Sequence, residues 1–347
     1  MQSKRSIREL SDKELIDFLK AKGEQAFRAK QILQWTWQKG VSSFEEMSNL
    51  SKSTRELLSE HFYFDALERS HVQTASDGTT KTAWKLHDGH LVESVLIPSK
   101  ERFTVCVSSQ VGCKLGCSFC ATATLGFKRD LSAGEIFEQV VNARKDTEAL
   151  GSSLSNIVFM GMGEPLLNYT NVMSAIQRIT SPDGLGISPS RITLSTAGIA
   201  EKIRQMADDD VRFNLAISLH SAKNEIRSRL MPVNKMASLE ELAESLKIFV
   251  AKTGTRPTFE YLLLKGVNDS IEDVKALAEY CKQFPVKINI IEYNPTEHSE
   301  FQTTEEKQRD FFVKFLENKN IVVNVRHSKG KDIDAACGQL ANKLKKP

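Results

Sequence analysis

With 347 residues, 40% of them hydrophobic and only 9 prolines, the chain exceeds one small domain and excludes long disordered arms. A net charge of +3 is too small to mark a nucleic-acid partner by itself. Its distribution says more: Arg326, Lys329, Lys331, Lys343, Lys345 and Lys346 against Asp332 and Asp334 leave the segment from Asn320 to Pro347 at +4, a tail that phosphates would attract.

The N-terminus, MQSKRSIRELSDKELIDFLK, has no apolar run of signal-peptide type, and no eighteen consecutive apolar residues occur anywhere. A cytoplasmic protein with no membrane span is expected. Its six cysteines then read as reduced thiols for metal binding or catalysis, not as a secreted disulfide framework. Between Asp12 and Phe62 apolar residues recur at helical spacing (Leu15, Ile16, Leu19, then Phe27, Ile32, Leu33), and Ser51 is placed to cap a third helix. From His71 to Pro98 alternation takes over, with Asp77-Gly78 and Asp88-Gly89 as turn signals, which predicts a small antiparallel sheet. Residues 1–98 are thus expected to form an accessory domain, followed by a core at 99–326 and a basic C-terminal segment at 327–347.

After Pro98 strands alternate with helices: TVCVSS from Thr104, NIVFM from Asn156, RITLS from Arg191, FNLAISL from Phe213, TFEYLLL from Thr258 and VKINIIEY from Val286. Ser132 with Glu135, Ser238 with Glu241, and Ser270 with Asp273 have the spacing of capping boxes. A last helix near Glu305 to Asn318 leads to IVVNV from Ile321. This α/β pattern implies a parallel sheet, either doubly wound or a partial barrel. Gly161 to Glu164, Ser195, Ser218 with His220, and Asn294 all fall at or just past strand C-termini, where parallel sheets gather ligands. A site spread over so many strand ends favours a partial (β/α)6 TIM-type barrel.

The first strand runs into VGCKLGCSFCATATLGF, which offers Cys113, Cys117 and Cys120 within eight residues of a glycine-containing loop. A structural zinc site wants a fourth protein ligand, and no histidine or further cysteine occurs between Ala121 and Asp183. A cubane cluster held by three cysteines instead leaves one iron open to substrate. Of the outlying cysteines, Cys337 sits among the small residues of DIDAACGQL, where His327, Lys329 and Lys331 would favour its thiolate. Cys106 alternates onto the same face as Thr104 and Ser108, expected to point into the barrel, and Cys281 reads as core.

The CxxxCxxC spacing, with Phe119 before the last cysteine, resembles the signature of the radical S-adenosylmethionine superfamily. That resemblance implies one [4Fe-4S] cluster on Cys113, Cys117 and Cys120, with S-adenosylmethionine on the open iron and cleaved to a 5′-deoxyadenosyl radical. It also implies that the glycine run ending in Gly163 and Glu164 meets the methionine amino group, glycine permitting close backbone approach.

Cys106 with VSSQVGCKLGCSFCATA, then FMGMGEPLLN, TLSTAG, SLH, MPVN, LLKGVND, YNP and DIDAACGQL, together resemble the RlmN and Cfr family of ribosomal RNA adenine methyltransferases over nearly the whole chain. FRAKQILQWTW resembles that family's accessory domain, and Pro165 of GMGEP matches the RlmN form. The family's chemistry answers the inertness of adenine C2, an electron-poor carbon that does not attack a sulfonium methyl directly. The resemblance implies that Cys337 takes a methyl from one S-adenosylmethionine and that a second supplies the radical, two per turnover. The S-methyl carbon adds to C2, and Cys106 resolves the protein–RNA link by a disulfide with Cys337. Glu93, in HLVESVLIP, aligns with a proton acceptor, and its apolar neighbours Leu91 and Val95 suit a partly desolvated base. Gly163, Glu164, Ser195, Ser218, Leu219, His220 and Asn294 carry over as S-adenosylmethionine contacts.

The implied substrate is 23S ribosomal RNA at adenine-2503 in the peptidyl transferase centre, with adenine-37 of transfer RNAs as a second candidate. The implied partners are an electron donor such as flavodoxin or ferredoxin and no membrane, the chain acting as a monomer. Two other readings stand beside it: C8 methylation of the same adenosine, as in Cfr, and a non-catalytic metal-bearing RNA-binding module. A sulfur-inserting RNA enzyme would carry a second cysteine triad, which this chain lacks.

Overall fold

The computed structural model describes residues 4–100, 102–296 and 299–342. Lys343, Lys345 and Lys346 of the basic tail therefore lie outside the described residues. The N-terminal part folds into helices α1 (Asp12–Ala21), α2 (Phe27–Leu33) and α3 (Lys52–His61). Ser11 and Glu14 form a capping box at the start of α1, and Ser51 accepts the Thr54 amide at the start of α3. The apolar stripes of these helices meet in a core of their own, built around Leu15, Leu19, Ile32, Met47 and Leu58. A two-residue parallel pairing that the sequence did not announce, Arg5–Ser6 with Phe62–Tyr63, closes the unit. It is fastened to the rest by the fully buried Arg8, which pairs with Glu138 at 2.5 Å and donates to the Val41 carbonyl at 2.9 Å.

One ten-stranded sheet forms the remainder. Its strands are β1 (Glu68–Thr74), β2 (Thr80–Lys85), β3 (Leu91–Ser99), β4 (Arg102–Cys106), β5 (Ser153–Phe159), β6 (Ile192–Thr196), β7 (Asn214–Ser218), β8 (Thr258–Leu263), β9 (Lys287–Glu292) and β10 (Val322–Arg326). From β4 to β10 every neighbouring pair is parallel, and neighbours in space are neighbours in sequence. A doubly wound sheet reverses its order at a switch point; this one never does, so it is the partial barrel, with β10 as a seventh strand. The crossovers carry α4 (Ala133–Ala149), α5 (Tyr169–Thr180), α6 (Ala200–Asp208), α7 (Leu239–Thr253), α8 (Ile271–Tyr280) and α9 (Glu306–Glu317). The three expected capping boxes open α4, α7 and α8.

The expectation of a small separate sheet in the accessory part needs correction. Strands β1 to β3 are antiparallel, but β3 pairs with β4 from Val95–Cys106 to Ser99–Arg102, so they extend the barrel sheet. Trp84, Val92 and Val95 accordingly pack in the main core with the barrel strands. The physical reason is an unpaired edge: β4 would otherwise present a row of free amides and carbonyls.

Beyond β10 the chain doubles back. Residues 327–342 run from the end of β9, where Ser328 accepts from Asn294 at 2.8 Å, to the β1–β2 turn, where Asp77 accepts the Gly330 amide at 3.1 Å, and on to β3. This strap bridges the two edge regions of the open barrel across the strand ends. Among the described residues, no helix is long and apolar enough to cross a membrane.

Candidate active site

Under the strap, a cavity of about 190 Å³ opens at the C-terminal ends of the parallel strands. Cys113, Cys117 and Cys120 line it together with Gly163, Glu164, Ser195, Ser218, His220 and Cys337. The cysteine loop is spanned by a hairpin, Gln110–Gly112 with Phe127–Asp130. Gly112 has φ 75°, and a Cβ there would lie 1.7 Å from the Gly126 carbonyl oxygen, so only glycine lets the two ends cross. The loop is pinned on one side by Ser118, whose amide donates to the Leu230 carbonyl at 3.0 Å, and on the other by the Ala121 amide, which donates to Gly338 of the strap at 2.7 Å.

Burial pushes the Cys113 thiol up to about 11, with the charges of Glu164 and Cys120 adding to it. Cys117 is raised further, first by burial and then by Cys120 and Cys113. The charge of Cys120 acts on both Cys113 and Cys117, which makes the three near neighbours, and a cationic occupant would favour the thiolates of Cys113 and Cys117. Among the described residues no three His, Cys, Asp or Glu side chains converge closely enough to ligate a single ion. The donor set therefore suits a multi-iron cluster with one thiolate per iron better than a zinc ion. A second observation also fits an occupied cavity: the hydroxyl of Tyr293, 3% exposed and on the cavity wall, has no hydrogen-bond partner.

The expected S-adenosylmethionine contacts divide. Gly163, at φ 98°, could not carry a Cβ, which would sit 2.5 Å from that of Gln110. Glu164 is buried, and its carboxylate accepts the amides of Leu166 at 3.0 Å and Ala197 at 2.8 Å, bracing the loop after β5 against the end of β6; burial raises its pKa. His220 is in the left-handed region at φ 54°, its Nδ1 accepts the Leu262 amide at 3.1 Å, and burial then Arg227 hold its pKa down to about 3. It is therefore neutral, with its proton on Nε2. Ser195 and Ser218 are half-buried on the wall.

Leu219 and Asn294 do not reach the cavity wall. The Leu219 side chain is in the main core, its amide donates to the Glu260 carbonyl at 3.0 Å, and its carbonyl accepts from Arg227 at 3.2 Å. Asn294 is turned to Ser328 of the strap, and its neighbour Tyr293 takes the wall position. In both cases the residue next to the one expected faces inward, as alternation at a strand end requires.

Cys337 is the exposed member of the six cysteines and lines the cavity, whereas Cys106 is buried and does not line it. Burial and then the charge of Cys337 raise the Cys106 thiol; for Cys337, desolvation of the thiol against the cavity wall, then Glu260 and Cys120, push it up to about 11. The expected basic neighbours do not favour a Cys337 thiolate, because His327 and Lys331 pair with Glu292 and Lys329 pairs with Asp77. Glu93 is 2% exposed, buried further than the partly desolvated base expected. It pairs with the buried Lys81 at 3.4 Å and accepts the amides of Ala341 at 3.0 Å and Asn342 at 3.2 Å.

Two residues escaped the sequence reading. Arg227, buried on the short helix Asn224–Leu230, donates to the carbonyls of Ala197 at 2.5 Å and Leu219 at 3.2 Å and to the side chain of Asn234 at 2.8 Å, tying the ends of β6 and β7. Glu260 begins a polar row in register across three strands: Asn289 donates to it at 2.7 Å and Asn324 donates to Asn289 at 3.2 Å. The signal was a polar residue at the inward position of each strand.

Burial raises Glu260 from 4.5 to about 7, only partly offset by Asn289 and Arg326. A carboxyl raised in the fold contributes stability that is full below the unfolded pKa and lost as pH rises from about 4.5 to about 7. Glu260→Gln should therefore gain on the wild type by about 3 kcal/mol between pH 4.5 and 8, read from urea midpoints; a pH-independent difference would refute the assignment.

Residues 6–64 match the profile of the ribosomal RNA large subunit methyltransferase N-terminal domain, and residues 107–281 that of the radical SAM superfamily. The chain is 52% identical over 341 residues to a probable dual-specificity RNA methyltransferase RlmN of Flavobacterium psychrophilum, covering 98% of both chains. It is 42% identical over 354 residues to the dual-specificity RNA methyltransferase RlmN of Campylobacter fetus, covering 98% of this chain and 99% of that one. In fold it is similar to a radical SAM methyltransferase from Sphaerobacter thermophilus, with TM-score 0.92, 37% identity, and 97% and 99% of the two chains covered.

Proposed function

Because the chain belongs to the RlmN family of radical S-adenosylmethionine RNA methyltransferases, we propose that it methylates C2 of adenine-2503 in 23S ribosomal RNA, with adenine-37 of transfer RNAs as a second substrate. The observation that carries this reading is the place of Cys337 on the wall of the cavity lined by Cys113, Cys117 and Cys120, with its charge acting on the buried Cys106. C2 of adenine is a poor nucleophile, so a chain that methylates it needs a carrier thiol and a resolving thiol close to a radical source.

Cys113, Cys117 and Cys120 would hold a [4Fe-4S] cluster, which would supply one-electron cleavage of S-adenosylmethionine with electrons from a flavodoxin or ferredoxin. Cys337 serves as carrier: its sulfur loses a proton and attacks the methyl of a first S-adenosylmethionine, expelling S-adenosylhomocysteine, the second molecule per turnover being the radical source. The S-methyl carbon, stripped of one hydrogen atom by the 5′-deoxyadenosyl radical, bonds to C2; the adduct then gives up one electron, which would return to the cluster, and the C2 proton, which Glu93 takes. The Cys106 sulfur, losing its proton, attacks the Cys337 sulfur, the bond from that sulfur to the carbon breaks, the carbon takes up a proton to become the methyl group, and a disulfide is left. Neutral His220, Ser195 and Ser218 orient the donor, and Gly163 lets backbone approach it. Glu93 would take that proton on Oε1, beside Lys81, since Oε2 accepts the Ala341 and Asn342 amides. The helical unit up to residue 64 and the C-terminal segment with Lys343, Lys345 and Lys346 contact the RNA, and the chain works as a monomer.

The test is mass spectrometry of nucleosides from ribosomal and transfer RNA of a strain lacking the gene and of the complemented strain. The expected result is loss and recovery of 2-methyladenosine. Recovery of 8-methyladenosine in its place would overturn the C2 assignment, and an unchanged RNA would overturn the methyltransferase substrate altogether.

A further inference from the structure

Lysine is almost never fully buried unless paired, yet Lys81 on β2 is 4% exposed and takes no part in the chemistry above. Strand pairing sets Lys81 diagonally to Glu93, because Ala83 is the residue opposite Glu93. The ammonium lies 3.4 Å from Glu93 Oε1 and donates to the Asp334 carbonyl at 3.3 Å. The other oxygen of the same carboxylate, Oε2, accepts the amides of Ala341 and Asn342. Asp334 stands three residues before Cys337, and Ala341 four after it. One buried ion pair thus holds both ends of the loop that carries the thiol.

We propose that Lys81 is a positioning residue for Cys337, fixing the strap so that the thiol stays on the wall of the cavity that Cys113, Cys117 and Cys120 line. The inference rests on Cys337 as the methyl carrier. Among the described residues outside the loop no other pair grips both of its ends at once: Thr122 holds Leu340, Ala121 holds Gly338, and Asp77 holds Gly330, while Gln339 closes the turn from within by accepting the Ala336 amide. Hydrogen bonds to charged groups are stronger than neutral ones, so the pair is the stiffest element of the fastening. It is also the element that must yield when Glu93 takes its proton, since a neutral Glu93 no longer attracts the Lys81 ammonium.

The experiment is hydrogen–deuterium exchange on the full-length, cluster-loaded protein carrying Lys81→Met, Lys81→Arg or Lys81→Met with Glu93→Gln. The paired variant leaves no charge unmatched and serves where Lys81→Met alone fails to fold. Exchange in residues 335–342 should quicken by roughly tenfold or more in both methionine variants, with β7 as protected as in wild type and Lys81→Arg close to wild type. In Lys81→Met, kcat for RNA methylation should fall by a similar factor, roughly tenfold, with KM for RNA within about twofold. Wild-type protection of 335–342 in the paired variant overturns the proposal, and so does a loss of protection that includes β7, which would make Lys81 a general stabilising residue. Methylation surviving in Cys337→Ala would instead sink the carrier reading and leave the exchange result standing.

Discussion

Cys337→Ala should lower RNA methylation by roughly a thousandfold or more, because a carbon bond to C2 then has no thioether to come from. The variant keeps Cys113, Cys117 and Cys120, so its cluster absorbance and its capacity to form 5′-deoxyadenosine remain measurable. Cys117→Ala provides the contrast, losing both together. The two variants separate radical initiation from methyl carriage. Recovery of 2-methyladenosine in RNA from cells complemented with Cys337→Ala would remove Cys337 from the reaction.

The second large effect is expected at Cys106. Cys106→Ala should stop turnover after one event and trap a covalent protein–RNA adduct, visible as an RNA-dependent mobility shift on a denaturing gel and removed by nuclease. Both thiols are raised, so access separates them: Cys337 lines the cavity while Cys106 is buried, and in the proposed reaction Cys106 acts only once Cys337 bears the adduct. Purified Cys106→Ala protein free of any adduct, in cells that supply substrate RNA, would count against the resolving role.

Much of the barrel was legible because its signals are local. Ser132 with Glu135, Ser238 with Glu241, and Ser270 with Asp273 satisfy amides within three residues, and they cap their helices in the structure as the spacing predicted. The cysteine triad was equally legible, since three thiols within eight residues of a short loop must share a neighbourhood. The antiparallel strands β1 to β3 were recognised as strands, but their partner was not, because the pairing of an edge is settled by which other edge is free.

The candidate site was legible where one loop carried it and obscure where it was assembled from several strands. Leu219 and Asn294, expected as S-adenosylmethionine contacts, do not line the cavity, because alternation continues past the strand ends and turns Ser218, His220 and Tyr293 to the wall. Glu93 was expected as a partly desolvated base, and its ion pair with Lys81 depends on a diagonal register that no single strand reveals.

The sequence by itself determined the family and the α/β order, and it named the candidate cluster ligands and the two candidate thiols, through short-range spacing, residue chemistry and family resemblance. Only the tertiary structure decided that the sheet is an open barrel crossed by a strap, that Cys337 shares a cavity wall with Cys113, Cys117 and Cys120, and how Glu260, Arg227 and Lys81 are paired. The physical reason is the same for each: these are contacts between segments far apart in the chain, fixed by strand register and burial, and register is a property of pairs of strands.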